Sequence, residues 1–149
     1  MLVPTKRIEY LGNIIDTDSM EISLPPRRTE PIVKGCRSLM AKSKDSIREV
    51  ARVVGLLVAA TPAVELGKLH YRKLESAKIS ALRSSKDNLD AAMDITSEMK
   101  VDLSWWLDNV SVQRRKIFRS AASVELYTDA SNSGWGGTYP TRLLVVLGH

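Results

Sequence analysis

Cysteine occurs once, at Cys36, so no disulfide can form within the chain, which fits a reducing compartment. Phenylalanine also occurs once, and aromatic residues together make up 5%. The core must therefore be mainly aliphatic, as suits helix packing. Histidine occurs only as His70 and His149. With Cys36 these show no zinc-ligand spacing. Long apolar runs are missing too: the longest, Val53–Ala60, contains a glycine and is too short to cross a bilayer. The stretch Met1–Arg7 lacks the apolar core of a secretory signal. These absences predict an intracellular setting, cytoplasm or nucleus, with no membrane partner. No nucleophile-elbow motif places a Ser-His-Asp triad, and Gly134–Gly137 lacks the lysine of a nucleotide phosphate loop.

What the chain has is aliphatic residues and positive charge. Hydrophobic residues make up 44% and charged ones 26% of 149 residues, values that belong to a folded domain. The net charge is +5. It is concentrated in the middle: Arg27–Arg83 holds 13 Lys or Arg against 5 Asp or Glu, a net of +8. Such a segment can attract phosphate backbones, or it can be a solvated helix face.

Periodicity gives an α+β chain that is mostly helical. Arg7–Asp16 reads as one strand, Asp16–Ser19 as a turn, and Met20, Ile22 and Leu24 as the apolar side of a second strand. Pro25 and Pro26 end this hairpin. A helix through Ser43 follows, with Pro31 in its first turn and Ile32, Cys36, Leu39 and Met40 on one stripe. Ser46 and Glu49 have the spacing of a capping box. The helix behind them carries Ile47, Val50, Val54, Leu57 and Val58 at helical spacing. Thr61 and Pro62 read as a helix restart. Leu74, Ala77, Ala81 and Leu82 mark a helix within Leu69–Arg83, closed by the polar stretch Ser84–Asn88. Thr96 caps a helix with Met99, Leu103, Trp106 and Val110 on one face. Arg114–Lys116 reads as a basic linker. Beyond it the period changes to two, with Val124, Leu126 and Thr128 alternating with Glu125, Tyr127 and Asp129. Ser131–Gly134 is a turn, and Trp135–Tyr139 a further strand.

Three stretches carry a resemblance, in one order. Tyr10-Leu11-Gly12-Asn13-Ile14-Ile15, then Ile22-Ser23-Leu24-Pro25, resembles the hairpin between palm and thumb of reverse transcriptases, with Tyr10 in place of the usual phenylalanine. Arg48–Gly55, Ala60–Val64, Tyr71–Glu75 and the Trp105-Trp106 pair are similar to the thumb and connection region of retroelement reverse transcriptases. The closest likeness is to the tyrosine-recombinase (DIRS-type) retrotransposons. Leu126–Ser131 followed by Gly134–Gly137 looks like the opening strand and turn of a retroelement ribonuclease H domain. The resemblance covers about Lys6–Tyr139. It divides the chain into a palm–thumb hairpin, 1–25, a helical thumb and connection region, 26–113, and a truncated ribonuclease H-like start, 114–149.

This likeness implies roles. Tyr10, Leu11 and Gly12 would form a primer-grip-like tip. Arg48, Arg52, Lys68 and Arg72 fall as two i, i+4 pairs, so each pair would share a helix face and follow a duplex backbone without reading bases. Asp129 matches the first carboxylate of the ribonuclease H metal site, where the intact family uses magnesium. Such a site needs several carboxylates around two ions about 4 Å apart. The polymerase's paired aspartates are not among the residues before Tyr10, and Pro140–His149 contains no acid. The stretch is therefore expected to be non-catalytic and to bind no metal alone. Its expected part is handling a template–primer duplex, with RNA–DNA or DNA and the rest of the polyprotein as partners. The rival readings are a helical protein-interaction module and an inert gene remnant.

Overall fold

The computed structural model describes residues 3–122, 124–132, 134–139 and 142–144. The described residues form an α+β fold with four helices and small antiparallel sheets. They fall into two compact units, Met1–Phe118 and Arg119–His149.

The first unit begins with three strands, β1 (Arg7–Tyr10), β2 (Asn13–Asp16) and β3 (Glu21–Ser23). The continuous strand expected from Arg7 to Asp16 is in fact a hairpin. Tyr10 pairs with Asn13, leaving Leu11 and Gly12 as the loop, and both have positive φ, 49° and 75°. That is the backbone of a primed two-residue turn, which matches the twist of the flanking strands. The second turn is the one expected: Asp16 Oδ1 accepts from the backbone N–H groups of Asp18 and Ser19. These two bonds and Arg7 hold the Asp16 carboxyl below its ordinary pKa, the Ser19 bond contributing most.

Glycine suits its turn position, but leucine does not. A branched side chain in the left-handed region costs roughly 1–2 kcal/mol, and Leu11 is 80% exposed, so packing returns little. Leu11→Asn is expected to stabilise the unit by about 1 kcal/mol, read as a higher urea midpoint. A lower midpoint would mean that the leucine is held by contacts of its own.

Helix α1 (Pro26–Met40) starts earlier than expected. Pro25 is its extended N-cap residue and Pro26 its first helical residue, where a missing N–H costs nothing. Pro31 thus falls inside the helix, not in its first turn. Ile32, Cys36 and Leu39 are buried as the stripe requires, with Met40 packed against them. Burial pushes the Cys36 thiol up to about 12, so it stays protonated and inert.

Helix α2 (Ile47–Ala60) has Ser46 as its N-cap, accepting from the Glu49 N–H. The box is only half closed, because the Glu49 carboxylate turns to Arg52. The next two free N–H groups find partners far along the chain: Ile47 donates to the Ala91 carbonyl and Arg48 to that of Leu89. They lie beside a two-stranded clip of β4 (Lys44–Ser46) and β5 (Ala92–Asp94), which the sequence did not announce. Val53 joins the buried side of α2, whereas Val58 is exposed. Thr61 is a C-cap and not the start of a helix. Turns and a single 3-10 turn, Gly67–Leu69, follow it.

Helix α3 (Arg72–Ser84) buries Leu74, and α4 (Ser97–Asn109) buries Met99, Leu103 and Trp106, with Val110 at its C-cap. Thr96 caps α4 as expected, accepting from the Met99 N–H. Helix α1 packs on α2 and α4, and α3 packs on the same two. The core lies between the four helices, with Leu24 entering from the end of β3. The basic stretch expected as a linker is partly strand: β6 (Arg115–Lys116) pairs with β3. The hairpin and the helices therefore belong to one unit, and the division falls after Phe118.

In the second unit β7 (Tyr127–Ser131), β8 (Gly134–Tyr139) and β9 (Arg142–Leu144) form an antiparallel sheet in that order. The third strand was not expected. Of the acid-free tail from Pro140 to His149, positions 140, 141 and 145–149 lie outside the described residues. Among the described residues no helix is long and apolar enough to cross a membrane.

Candidate nucleic-acid interface

The hairpin tip is built by an arginine that sequence reasoning missed. Arg28, in the first turn of α1, donates to the Gly12 carbonyl at 2.9 Å, to Asn13 Oδ1 at 3.0 Å and to the Ala59 carbonyl at 2.8 Å. The last contact is to the final turn of α2, where a cation also meets the negative end of the helix dipole. The tip is thus tied to two helices, with Tyr10 59% and Leu11 80% exposed. An exposed tyrosine and leucine on an anchored turn form a small apolar prow. Only Gly12 of the three is half-buried.

The four expected cations do not form one row. Arg48 and Arg52 are exposed on the same side of α2, as their spacing requires. Each is matched by a carboxylate. Arg48 makes a two-pronged contact with Asp90, at 2.8 and 3.2 Å. Arg52 does the same with Glu49, at 2.9 and 2.5 Å. The arginine hydrogen bonds hold both carboxyls below their ordinary pKa. They are therefore charged at neutral pH and cancel the guanidinium charges at close range. Exposed pairs like these add little stability, but they weaken the field that a phosphate would feel.

Lys68 and Arg72 sit differently. The i, i+4 spacing does not place them on one helix face, because Lys68 lies in the 3-10 turn and Arg72 opens α3. Both are exposed, and neither has an ion-pair partner among the described residues. The backbone between them is locked from the core side. The Trp106 indole N–H donates to the His70 carbonyl at 2.7 Å. A Cβ on Gly67 would come within 2.8 Å of the same indole ring, so only glycine allows this approach. Trp105 stacks on the His70 ring at 4.0 Å.

Asp102 was also missed, although it left a signal: an acid inside the apolar stripe Met99–Leu103–Trp106. It is 4% exposed, and its Oδ2 accepts from the Lys73 backbone N–H at 3.1 Å. Helix α3 has no cap from its own Tyr71. A carboxylate on α4 supplies one and faces the positive end of the α3 dipole.

In the second unit Asp129 stands on β7, exposed, with its Oδ1 accepting from its neighbour's N–H, Ala130. By the strand register it shares a face of the sheet with Tyr127 and, across the pair, with Gly136 and Thr138. A two-ion site needs converging carboxylates. Among the described residues no group of three or more His, Cys, Asp or Glu is placed to hold a metal. The described residues do not fit such a site. Comparison of the chain with models of protein families, with curated proteins and with solved structures finds no match.

Proposed function

We propose that this chain is a stretch of a retroelement reverse transcriptase–ribonuclease H polyprotein whose part is non-catalytic: it holds an RNA–DNA or DNA duplex by its backbone. The observation that carries this reading is the charge excess of the helical segment, 13 cations against 5 acids over Arg27–Arg83. Phosphate neutralisation by lysine and arginine is independent of sequence and sets most non-specific affinity. The hairpin tip with Tyr10 and Leu11 supports the same reading, as an apolar contact for a strand end. In this reading the sheet carrying Asp129 opens a ribonuclease H-like domain, and the setting is intracellular, cytoplasm or nucleus.

The test is binding of the full chain to a short RNA–DNA hybrid across a salt series. The dissociation constant is expected at about 10⁻⁴–10⁻⁶ M at physiological salt, weakening steeply as salt rises. Added magnesium is expected to yield neither primer extension nor cleavage of the RNA strand. Binding indifferent to salt would favour an apolar protein-interaction surface. Cleavage by the purified chain would overturn the non-catalytic assignment.

A further inference from the structure

The stretch Lys68–Lys86 contains six cations and one acid. That acid, Glu75, is already taken by Lys78 at 2.9 Å, and both are partly buried. The other five cations, Lys68, Arg72, Lys73, Arg83 and Lys86, are exposed and have no ion-pair partner among the described residues. On α3 itself the exposed residues before its last position are Arg72, Lys73, Ser76, Ile79, Ser80 and Arg83. At about 100° per residue they fall within roughly a third of the circumference. The arc contains two hydroxyls and no carboxylate. Arg72 and Arg83 lie about 16 Å apart along the axis. At about 3.4 Å of rise per nucleotide, that spans several phosphates of one strand.

The contrast with α2 is chemical. There each exposed arginine has a carboxylate within hydrogen-bonding distance. A phosphate approaching α2 must displace that carboxylate or share its cation. A phosphate approaching α3 meets free guanidinium and ammonium groups, with serine hydroxyls between them as further donors. The face is also held rigidly at its start, where Asp102 caps the Lys73 N–H and Trp106 holds the His70 carbonyl. Less side-chain and backbone ordering is then left to be done on binding.

We propose that the outer face of α3, and not the arginine pair on α2, is the surface that grips the phosphate backbone of a nucleic-acid duplex. This rests on the nucleic-acid reading above and locates it. Arg72, Lys73 and Arg83 make the direct phosphate contacts, Ser76 and Ser80 add hydroxyl donors, and Lys68 and Lys86 extend the track at either end. Recognition is of backbone spacing, so different sequences bind alike.

The experiment compares three full-length proteins on one short RNA–DNA hybrid over a salt series: the unaltered chain, an α3 triple variant (Arg72→Gln, Lys73→Gln, Arg83→Gln) and an α2 double variant (Arg48→Gln, Arg52→Gln). Glutamine keeps helix propensity close to that of the residues replaced, and thermal melting checks that each variant folds. Each phosphate contact contributes about 0.9 to the slope of log affinity against log salt. The triple variant is therefore expected to lose about 2–3 units of slope and to bind at least about tenfold more weakly. The double variant is expected to lose less than about one unit. A folded triple variant that binds like the unaltered chain would overturn this assignment while leaving nucleic-acid binding intact, and so would equal losses in both variants. No binding by the unaltered chain at low salt would overturn the underlying reading as well. A poly-glutamate competitor that displaces the duplex at equal charge concentration would reassign the face to an acidic polypeptide.

Discussion

Trp106→Ala is expected to destabilise the first unit by about 3–5 kcal/mol, the range for removing a fully buried aromatic side chain. Domains of this size have about 5–15 kcal/mol in total, so a large share of the stability would go. Trp106 is 0% exposed and among the largest fully buried side chains. Its removal opens a cavity bordered by Gly67, whose position against the indole leaves no side chain to fill the gap. It also strips the His70 carbonyl of its 2.7 Å donor. Trp106→Phe keeps most of the apolar contact but removes the donor, and should cost less, about 1–3 kcal/mol. Urea titration of both variants separates packing from the hydrogen bond. A midpoint for Trp106→Ala close to that of the unaltered chain would mean that the indole is not part of a close-packed core.

Asp102→Ala is expected to cost about 1.5–3 kcal/mol, the range for a hydrogen bond to a charged group. The variant leaves the Lys73 N–H without its acceptor at the start of α3. Asp102→Asn retains an oxygen in the same place and loses only the charge facing the dipole, so its loss should be smaller, about 1 kcal/mol. The local readout is amide exchange at Lys73, Leu74 and Glu75, which should quicken in the alanine variant before the rest of the unit does. Burial of a carboxylate carries a desolvation cost of its own. If the alanine variant proved more stable than the parent, that cost would outweigh the cap, and Asp102 would be kept for positioning α3 and not for stability.

The local structure was legible because its causes are local. Ser46 and Thr96 cap the helices they were expected to cap, since a cap acts across three residues. The stripe Met99, Leu103, Trp106 and Val110 is buried throughout, since helical spacing alone puts it on one side. Val58 broke the pattern on α2, because Val53 and Val54 together turn the buried arc toward the other side. Thr61-Pro62 has the chemistry of a helix start, yet Thr61 closes α2, its hydroxyl donating to the Val58 carbonyl. Either end of a helix can use a threonine hydroxyl, and which one does depends on where the previous helix stops. Leu11-Gly12 was read through as strand because leucine is a poor residue for positive φ.

The sequence by itself determined the α+β class, the apolar sides of the main helices and the excess of cations in the middle of the chain. It could not determine which cations remain free. Asp90 reaches Arg48 across 42 positions, the Asp102 carboxylate reaches α3 across 29, and the Trp106 indole reaches the His70 carbonyl across 36. Contacts of that range exist only after the helices have packed, and no spacing rule within a helix specifies them. Packing gave Arg48 its carboxylate, Arg52 found Glu49 one turn back in its own helix, and the outer face of α3 was left without any. The composition supplied the charge, and the tertiary structure decided where it stays unbalanced.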